Sequence, residues 1–340
     1  MPTVVSLVSE QTIPNVAFIK QMKSRANSFL FITTREFEYR VDWIAKSASL
    51  DPNTYEVQKL FVYSNGYSDI LSQLHDQLNQ EEEYIVNITC GTKLMSLAVF
   101  EFFKNLPHAS IFYLPISQNK YIQLHPVHEE YQFKIHLSLQ EYLTAYGLIY
   151  DQAERPAYAS KHRPDAMMSQ IRAAKGHLPS NKDIIDNSSL SAEEKKYLTG
   201  GWFEWYAYDL IKQEFNLHDK FIACGVHLKR DISDRNSFIG EVVFNEIDVM
   251  FVKSNILYLI ECKVVQDISS ILHGPVDRLT AISTYLSTGT KKYIFVLSKF
   301  TDSNQAEIYR SKMLQYGIQD LVTWSKLKDE QNLRDFIRKM

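Results

Sequence analysis

The residues best suited to chemistry are Asp248, Glu261 and Lys263, in the stretch Glu246–Lys263. Both halves of that stretch are apolar runs with few polar interruptions, the pattern of two strands. Lys253-Ser254-Asn255 between them is turn chemistry. If Ser254-Asn255 is the two-residue loop of a hairpin, Lys253 faces Ile256 and Asp248 lies opposite Glu261 on one face. Lys263, two residues on, points to that face, and Cys262 to the other. Two carboxylates and an ammonium thus converge on one patch of a mostly buried sheet. Carboxylate oxygens suit a hard divalent cation such as Mg²⁺. A nearby lysine can orient or deprotonate an attacking water and offset charge developing on phosphorus. The plain alternative is a structural ion pair at a strand end, which is what an arbitrary D…ExK pattern usually represents. Burying two like charges and one cation among Leu, Ile and Val is costly, however, and shifts the balance toward a metal or a function.

A second group of elements must position this patch. Gly200–Ile211 reads as a helix entered through a glycine pair, with Phe203, Tyr206, Ala207, Leu210 and Ile211 as its apolar stripe. Glu204 falls at the stripe's edge. There it either leans over the carboxylates as a further metal or water contact or is a solvated glutamate. Strands at Phe221–Lys229, Glu241–Lys253 and Ile256–Val265 follow. A helix over Val276–Ser287, a strand over Lys291–Leu297 and a last helix complete the order. This arrangement resembles the PD-(D/E)xK nuclease fold over roughly Lys196–Ser325, with Glu204, Asp248, Glu261 and Lys263 at the motif positions.

At 340 residues the chain has room for two domains, and 45% hydrophobic and 13% aromatic content exclude a disordered protein. The net charge of −3 excludes a general nucleic-acid coat, so nucleic-acid binding would need a local groove. Three scattered cysteines, Cys90, Cys224 and Cys262, form no CxxC spacing, which disfavours a zinc site or disulfide framework and suits a reducing cytoplasm. No stretch approaches a membrane span or a signal peptide, so no membrane partner is expected.

The first part of the chain alternates strands and helices: Thr3–Val8, a helix to about Arg25, Ser28–Thr33, a helix to Ser47, Glu56–Val62, a helix at Tyr67–Leu78, Tyr84–Ile88, a helix at Leu94–Lys104, and Ser110–Leu114. Such alternation predicts a parallel sheet covered on both faces. Ligands of open α/β sheets sit outside the carboxyl ends of the strands. Two loops qualify, Ser9–Asn15 and Thr89–Lys93. Both open onto helix N-termini, which favour anions. Gly91 permits close backbone approach, Thr92 adds a hydroxyl and Lys93 a cation. Ser9, Gln11, Thr12 and Asn15 serve equally well as turn and capping residues taken singly. Neither loop is a G-x-G-x-x-G or Walker A pattern.

Val8–Asn15 together with Asn87–Ser96 resembles the CARF domain of CRISPR ancillary nucleases, and Gly200–Glu204 with Ile260–Lys263 resembles the nuclease half of that family. The resemblance implies an α/β protein with a Rossmann-like CARF ligand-sensing domain over 1–130, a helical connector over 131–195 and a restriction-endonuclease-like PD-(D/E)xK domain over 196–340. It also implies a cytoplasmic homodimer binding a cyclic oligoadenylate, commonly cyclic tetra-adenylate, through Ser9, Gln11, Thr12, Asn15, Cys90, Gly91, Thr92, Lys93 and Met95. Binding switches on cleavage of DNA and/or RNA with Mn²⁺ or Mg²⁺. Asp248 and Glu261 would hold the metal, with Glu204 and Lys263 completing the catalytic set. Two positions depart from the family pattern. Cys90 stands where glycine is more usual, and Trp205 where a second acidic residue often follows the glutamate. A two-fold dimer presents each loop twice, which matches a cyclic ligand with internal symmetry. The competing reading is a cyclic-nucleotide sensor whose C-terminal half binds nucleic acid or a partner without cutting. His125 and His128 lack a third ligand nearby and read as surface histidines.

Overall fold

The computed structural model describes residues 1–63, 66–231, 246–265, 274–286, 289–298 and 303–340. The chain forms two compact units, one built mainly from Met1–Ile149 and the other mainly from Tyr150–Leu228 and Leu257–Met340.

The first unit runs β1 (Thr3–Leu7), α1 (Ile13–Met22), β2 (Ser28–Thr33), α2 (Glu38–Ser47), β3 (Glu56–Phe61), α3 (Tyr67–Gln77), β4 (Tyr84–Asn87), α4 (Lys93–Lys104), β5 (Ala109–Tyr113), β6 (Lys120–His125), β7 (Glu129–Gln132) and α5 (Leu139–Thr144). Its seven strands lie in the order β3-β2-β1-β4-β5-β6-β7. The first five are parallel, and β6 and β7 add antiparallel. Val4, Val5 and Leu7 of β1 and Phe29–Ile32 of β2 are buried, as strands covered on both faces must be. Helix α4 packs Met95, Ala98, Val99, Phe102 and Phe103 inward at helical spacing. The β6–β7 hairpin had no assignment from sequence. Its strands are short and mostly half-exposed, and it is held by Tyr121 stacked on Tyr131 with centroids 5.2 Å apart.

Strands β1 and β4 are neighbours, yet the chain between them leaves toward β3 and the chain after β4 continues toward β7. Connections therefore diverge between these two strands, and their carboxyl ends carry the Ser9–Asn15 and Thr89–Lys93 loops. This is the switch point where open α/β sheets hold ligands.

The second sheet is ordered β13-β12-β11-β10-β9-β8. Its elements are β8 (Leu148–Asp151), α6 (Pro164–Ala173), α7 (Asn181–Ile185), α8 (Ala192–Lys196), α9 (Trp202–Glu214), β9 (Ile222–Arg230), β10 (Ile247–Lys253), β11 (Ile256–Val265), α10 (Gly274–Leu286), β12 (Lys291–Ser298), α11 (Ser303–Gln315), β13 (Asp320–Val322), α12 (Trp324–Leu327) and α13 (Glu330–Arg338). β8 lacks a clear strand pattern in sequence and joins the sheet at its edge. Ser254 and Asn255 have φ of 52° and 60°, the paired left-handed geometry that a two-residue hairpin loop requires. The expected strand Glu241–Lys253 begins at Ile247, and its residues 241–245 lie outside the described residues, as does Ser287 of the expected helix Val276–Ser287. The glycine pair does not start α9. It sits in a π-helical turn, Tyr197–Gly201, that runs straight into it. Among the described residues no helix is long and apolar enough to cross a membrane.

Candidate functional site

β10, β11, α9 and α10 bring four of the expected side chains and one unexpected one together in the second unit. Lys263 Nζ stands 3.1 Å from Asp248 Oδ2 and 2.8 Å from Glu261 Oε1, so it bridges the two carboxylates. Asp248 Oδ2 also accepts the Cys262 backbone N–H at 2.6 Å, and Lys263 Nζ donates to the Cys262 carbonyl at 3.0 Å. Asp248 and Glu261 are buried, Glu261 completely. The hairpin with its Ser254-Asn255 loop thus places Asp248, Glu261 and Lys263 on one patch, as the alternation of strand residues requires.

The electrostatics follow from burial of like charges. Burial, then Asp248 and Glu246, pushes the Glu204 carboxyl up to about 8. Burial and the Asp248 charge raise Glu261 to about 7, against the pull of Lys263 and Arg278. Burial raises Asp248 as well, offset by Lys263 and the Cys262 N–H. Burial alone would lower Lys263, but Asp248 and Glu261 outweigh it and hold the ammonium charged. Glu204 therefore lies within electrostatic reach of Asp248, Glu246 and Lys263.

Arg278 of α10, which sequence reasoning passed over, pairs with Glu261 Oε1. Its only signal was a position beside the apolar residue Leu279. Glu246 was also missed as a group in its own right. It lies two residues before Asp248, a strand period, with Oε1 3.9 Å from His227 Nε2 and Oε2 4.0 Å from Lys196 Nζ. At Trp205, where an acidic residue is more usual, Arg155 lies over the indole ring at 4.5 Å.

Among the described residues no three His, Cys, Asp or Glu side chains form a ready-made metal cage, since Lys263 sits between the carboxylates. The donor set nevertheless fits a hard divalent cation. It is all oxygen, from Asp248, Glu261, Glu204 and the Cys262 carbonyl. Glu261 Oε2 is buried without a hydrogen-bond partner among the described residues. An orphaned carboxylate oxygen in a dry pocket is unfavourable unless a ligand meets it.

The two loops of the first unit divide the expected ligand residues into two classes. Ser9 and Gln11 are partly exposed, and Thr92 and Lys93 are exposed at the start of α4. Gly91 has φ of +98°, and a Cβ there would lie 3.3 Å from Leu7, so only glycine fits. Its N–H donates to Ser9 Oγ at 3.1 Å and ties the loops together. Thr92 Oγ caps α4 by accepting the Met95 N–H.

Thr12, Asn15, Cys90 and Met95, the other residues expected at the ligand, have buried side chains. Asn15 Nδ2 donates to the Leu7 carbonyl at 2.7 Å, and its Oδ1 accepts from Asn87 Nδ2 at 2.9 Å. Asn87 Oδ1 in turn accepts from the Thr89 N–H and hydroxyl. These amides are struts between strand ends. Burial lifts the Cys90 thiol to about 12, so it stays neutral.

Comparison with known proteins follows the same division. The family model described as the Card1 CARF domain matches residues 3–142, and the Card1-like endonuclease domain matches residues 191–285. No curated protein sequence matches. Among solved structures, the protein VC1899 from Vibrio cholerae is 17% identical with a TM-score of 0.72, covering 99% of this chain and 98% of its own. Can2 from Sulfobacillus thermosulfidooxidans, solved with cyclic tetra-adenylate, is 20% identical with a TM-score of 0.71 and 99% coverage of both chains. A type III CRISPR defence DNA nuclease activated by cyclic oligoadenylate is 16% identical with a TM-score of 0.56, over 87% of this chain and 45% of that one.

Proposed function

Because the chain belongs to the CRISPR ancillary nucleases built from a CARF domain followed by a Card1-like endonuclease domain, we propose that a cyclic oligoadenylate switches on its hydrolysis of phosphodiesters with Mn²⁺ or Mg²⁺. The preferred activator is cyclic tetra-adenylate, the ligand of the structurally similar Can2. The substrates are single-stranded DNA and/or RNA, or duplex DNA that is nicked. The working limits are a CARF domain over 1–130, a connector over 131–195 and a PD-(D/E)xK nuclease domain over 196–340.

The observation that carries this reading is the buried group of Asp248, Glu261 and Lys263 with Glu204 within electrostatic reach and one Glu261 oxygen unpartnered among the described residues. Asp248, Glu261 and the Cys262 carbonyl are the oxygens that would hold the cation. When bound, it polarises the phosphodiester and makes water more acidic. Lys263 holds the attacking water and offsets charge on the phosphate oxygens. Glu204, raised to about 8, takes up or shares a proton at the same water. Lys93 and the backbone N–H groups at the start of α4 meet ligand phosphate. Gln11 suits an adenine edge or a ribose hydroxyl.

Exposed Leu94 and Leu97, three residues apart on one side of α4, support a homodimer through the first unit. Scattered buried thiols support action in the cytoplasm.

One observation favours a second reading, a sensor that grips nucleic acid without cutting: both Lys263 and Arg278 already neutralise Glu261. A cleavage assay on plasmid, single-stranded DNA and RNA, with and without Mn²⁺ and cyclic tetra-adenylate, separates the two. Cleavage that needs both additions and is lost in Glu261→Ala supports the nuclease. Binding without cleavage in every combination supports the sensor.

A further inference from the structure

We infer that Arg278 is a further catalytic residue, whose guanidinium binds an oxygen of the phosphate being cut. The inference rests on the nuclease reading above. Arg278 lies on α10, where Pro275 and Ile282, three residues before it and four after, are both buried. Helical spacing therefore turns Arg278 toward the packed side of the helix. A cation held there is costly unless something uses it. Glu261 Oε1 accepts from Arg278 Nη2 and, at 2.8 Å, from the Lys263 ammonium, while Glu261 Oε2 has no partner among the described residues. Two cations thus share one oxygen of the carboxylate, and the other oxygen is left for a metal. The rest of the guanidinium is not committed in this way. Its Nε is buried with no hydrogen-bond partner among the described residues, and the side chain is 30% exposed. Unused donors therefore remain on a side chain that reaches both Glu261 and solvent.

Charge decides what meets those donors. In the metal-free fold Lys263 and Arg278 balance Asp248 and Glu261, and a counter-ion role is enough to account for Arg278 there. The same four side chains with a divalent cation on Glu261 carry two positive charges in excess. Like charges around one buried carboxylate repel, and the excess is stable only with an anion beside it. A phosphodiester supplies one negative charge, and attack by hydroxide adds a second in the transition state. The excess is thus matched best at the transition state, which is the condition for catalysis. Lys263 is already divided among Asp248, Glu261 and the Cys262 carbonyl, whereas Arg278 is hydrogen-bonded only to Glu261 among the described residues. A planar guanidinium also fits paired phosphate oxygens better than an ammonium does. Arg278 has both the charge and the donors to hold the phosphate.

The test uses the full-length protein and two readouts. Mn²⁺ binding is measured by isothermal titration at pH 8.5 without nucleic acid. Cleavage is measured at saturating Mn²⁺ and cyclic tetra-adenylate on whichever labelled DNA or RNA the wild type cuts. Arg278→Ala should bind Mn²⁺ at least threefold more tightly, because a repelling charge is gone, and yet cut at least a hundredfold more slowly. Arg278→Gln keeps a donor for Glu261 without the charge and should behave as Arg278→Ala does. Arg278→Lys keeps the charge and should cut at least tenfold faster than either. A counter-ion or brace alone would move both readouts the same way, or leave the rate intact once Mn²⁺ saturates. Wild-type cleavage by Arg278→Gln at saturating Mn²⁺, or weaker Mn²⁺ binding by both neutral variants, would overturn the inference and leave the nuclease reading standing. Failure of the wild-type protein to cut any strand would remove both.

Discussion

Replacing Asn15 with alanine tests whether this side chain is a strut or a ligand contact. Its amide is buried, donating to the Leu7 carbonyl and accepting from Asn87. Truncation strands a buried carbonyl and a buried N–H, at about 1–3 kcal/mol each, so the ligand-free protein should lose roughly 2–5 kcal/mol. In a unit of this size that corresponds to a fall in Tm of about 4–20 °C, at roughly 2–4 °C per kcal/mol. Thermal unfolding by circular dichroism measures the shift, and hydrogen exchange should show lost protection at the ends of β1 and β4. Lys93→Ala is the control. Lys93 is exposed, so its loss should change stability by no more than about 0.5 kcal/mol. If Asn15→Ala melted within 2 °C of wild type, yet no longer bound cyclic tetra-adenylate, the strut reasoning would be refuted and the amide would belong to the ligand site.

Other outcomes follow from the same geometry. Glu261→Ala or Lys263→Ala should abolish cleavage while isothermal titration shows unchanged oligoadenylate binding; retained cleavage by both variants would refute the catalytic assignment. Lys93→Ala should weaken cyclic tetra-adenylate binding at least tenfold and raise the activator concentration needed for cleavage. Activity independent of any cyclic nucleotide would count against the gating role. Mn²⁺ must displace the protons of Glu204, near 8, and Glu261, near 7. Apparent affinity should therefore climb from pH 6 to 8 and level off above, with proton release seen by titration in buffers of different ionisation enthalpy. Both folded-state values lie above the ordinary 4.5, so the metal-free fold holds more protons than the unfolded chain. Its stability should decline as pH rises from about 4.5 to 8, and saturating Mn²⁺ should reverse that slope. A flat profile in both states would argue that the carboxylates are not buried together.

What the sequence by itself determined was local and periodic. Strand alternation from Glu246 to Lys263, interrupted by Ser254-Asn255, was enough to place Asp248, Glu261 and Lys263 on one face, because side-chain direction in a strand is set by parity. The apolar stripe of α9 and the strand-helix alternation of the first unit were legible for the same reason. Gly91 was legible because close approach and a left-handed φ leave one residue type.

Tertiary structure decided what depends on partners distant in the chain. Asn15 and Asn87 pair across 72 positions, so an asparagine that looked available at a helix start proved to be an internal brace. Arg278 reaches Glu261 from another element, and Glu204 could lie on either side of its helix face until the sheet stood against it. The β6–β7 hairpin and the edge strand β8 carry too little apolar pattern to announce themselves and form because neighbouring strands offer free hydrogen-bonding edges. Burial is a property of the packed chain, and burial converts ordinary carboxyls at Glu204 and Glu261 into groups that titrate near neutrality.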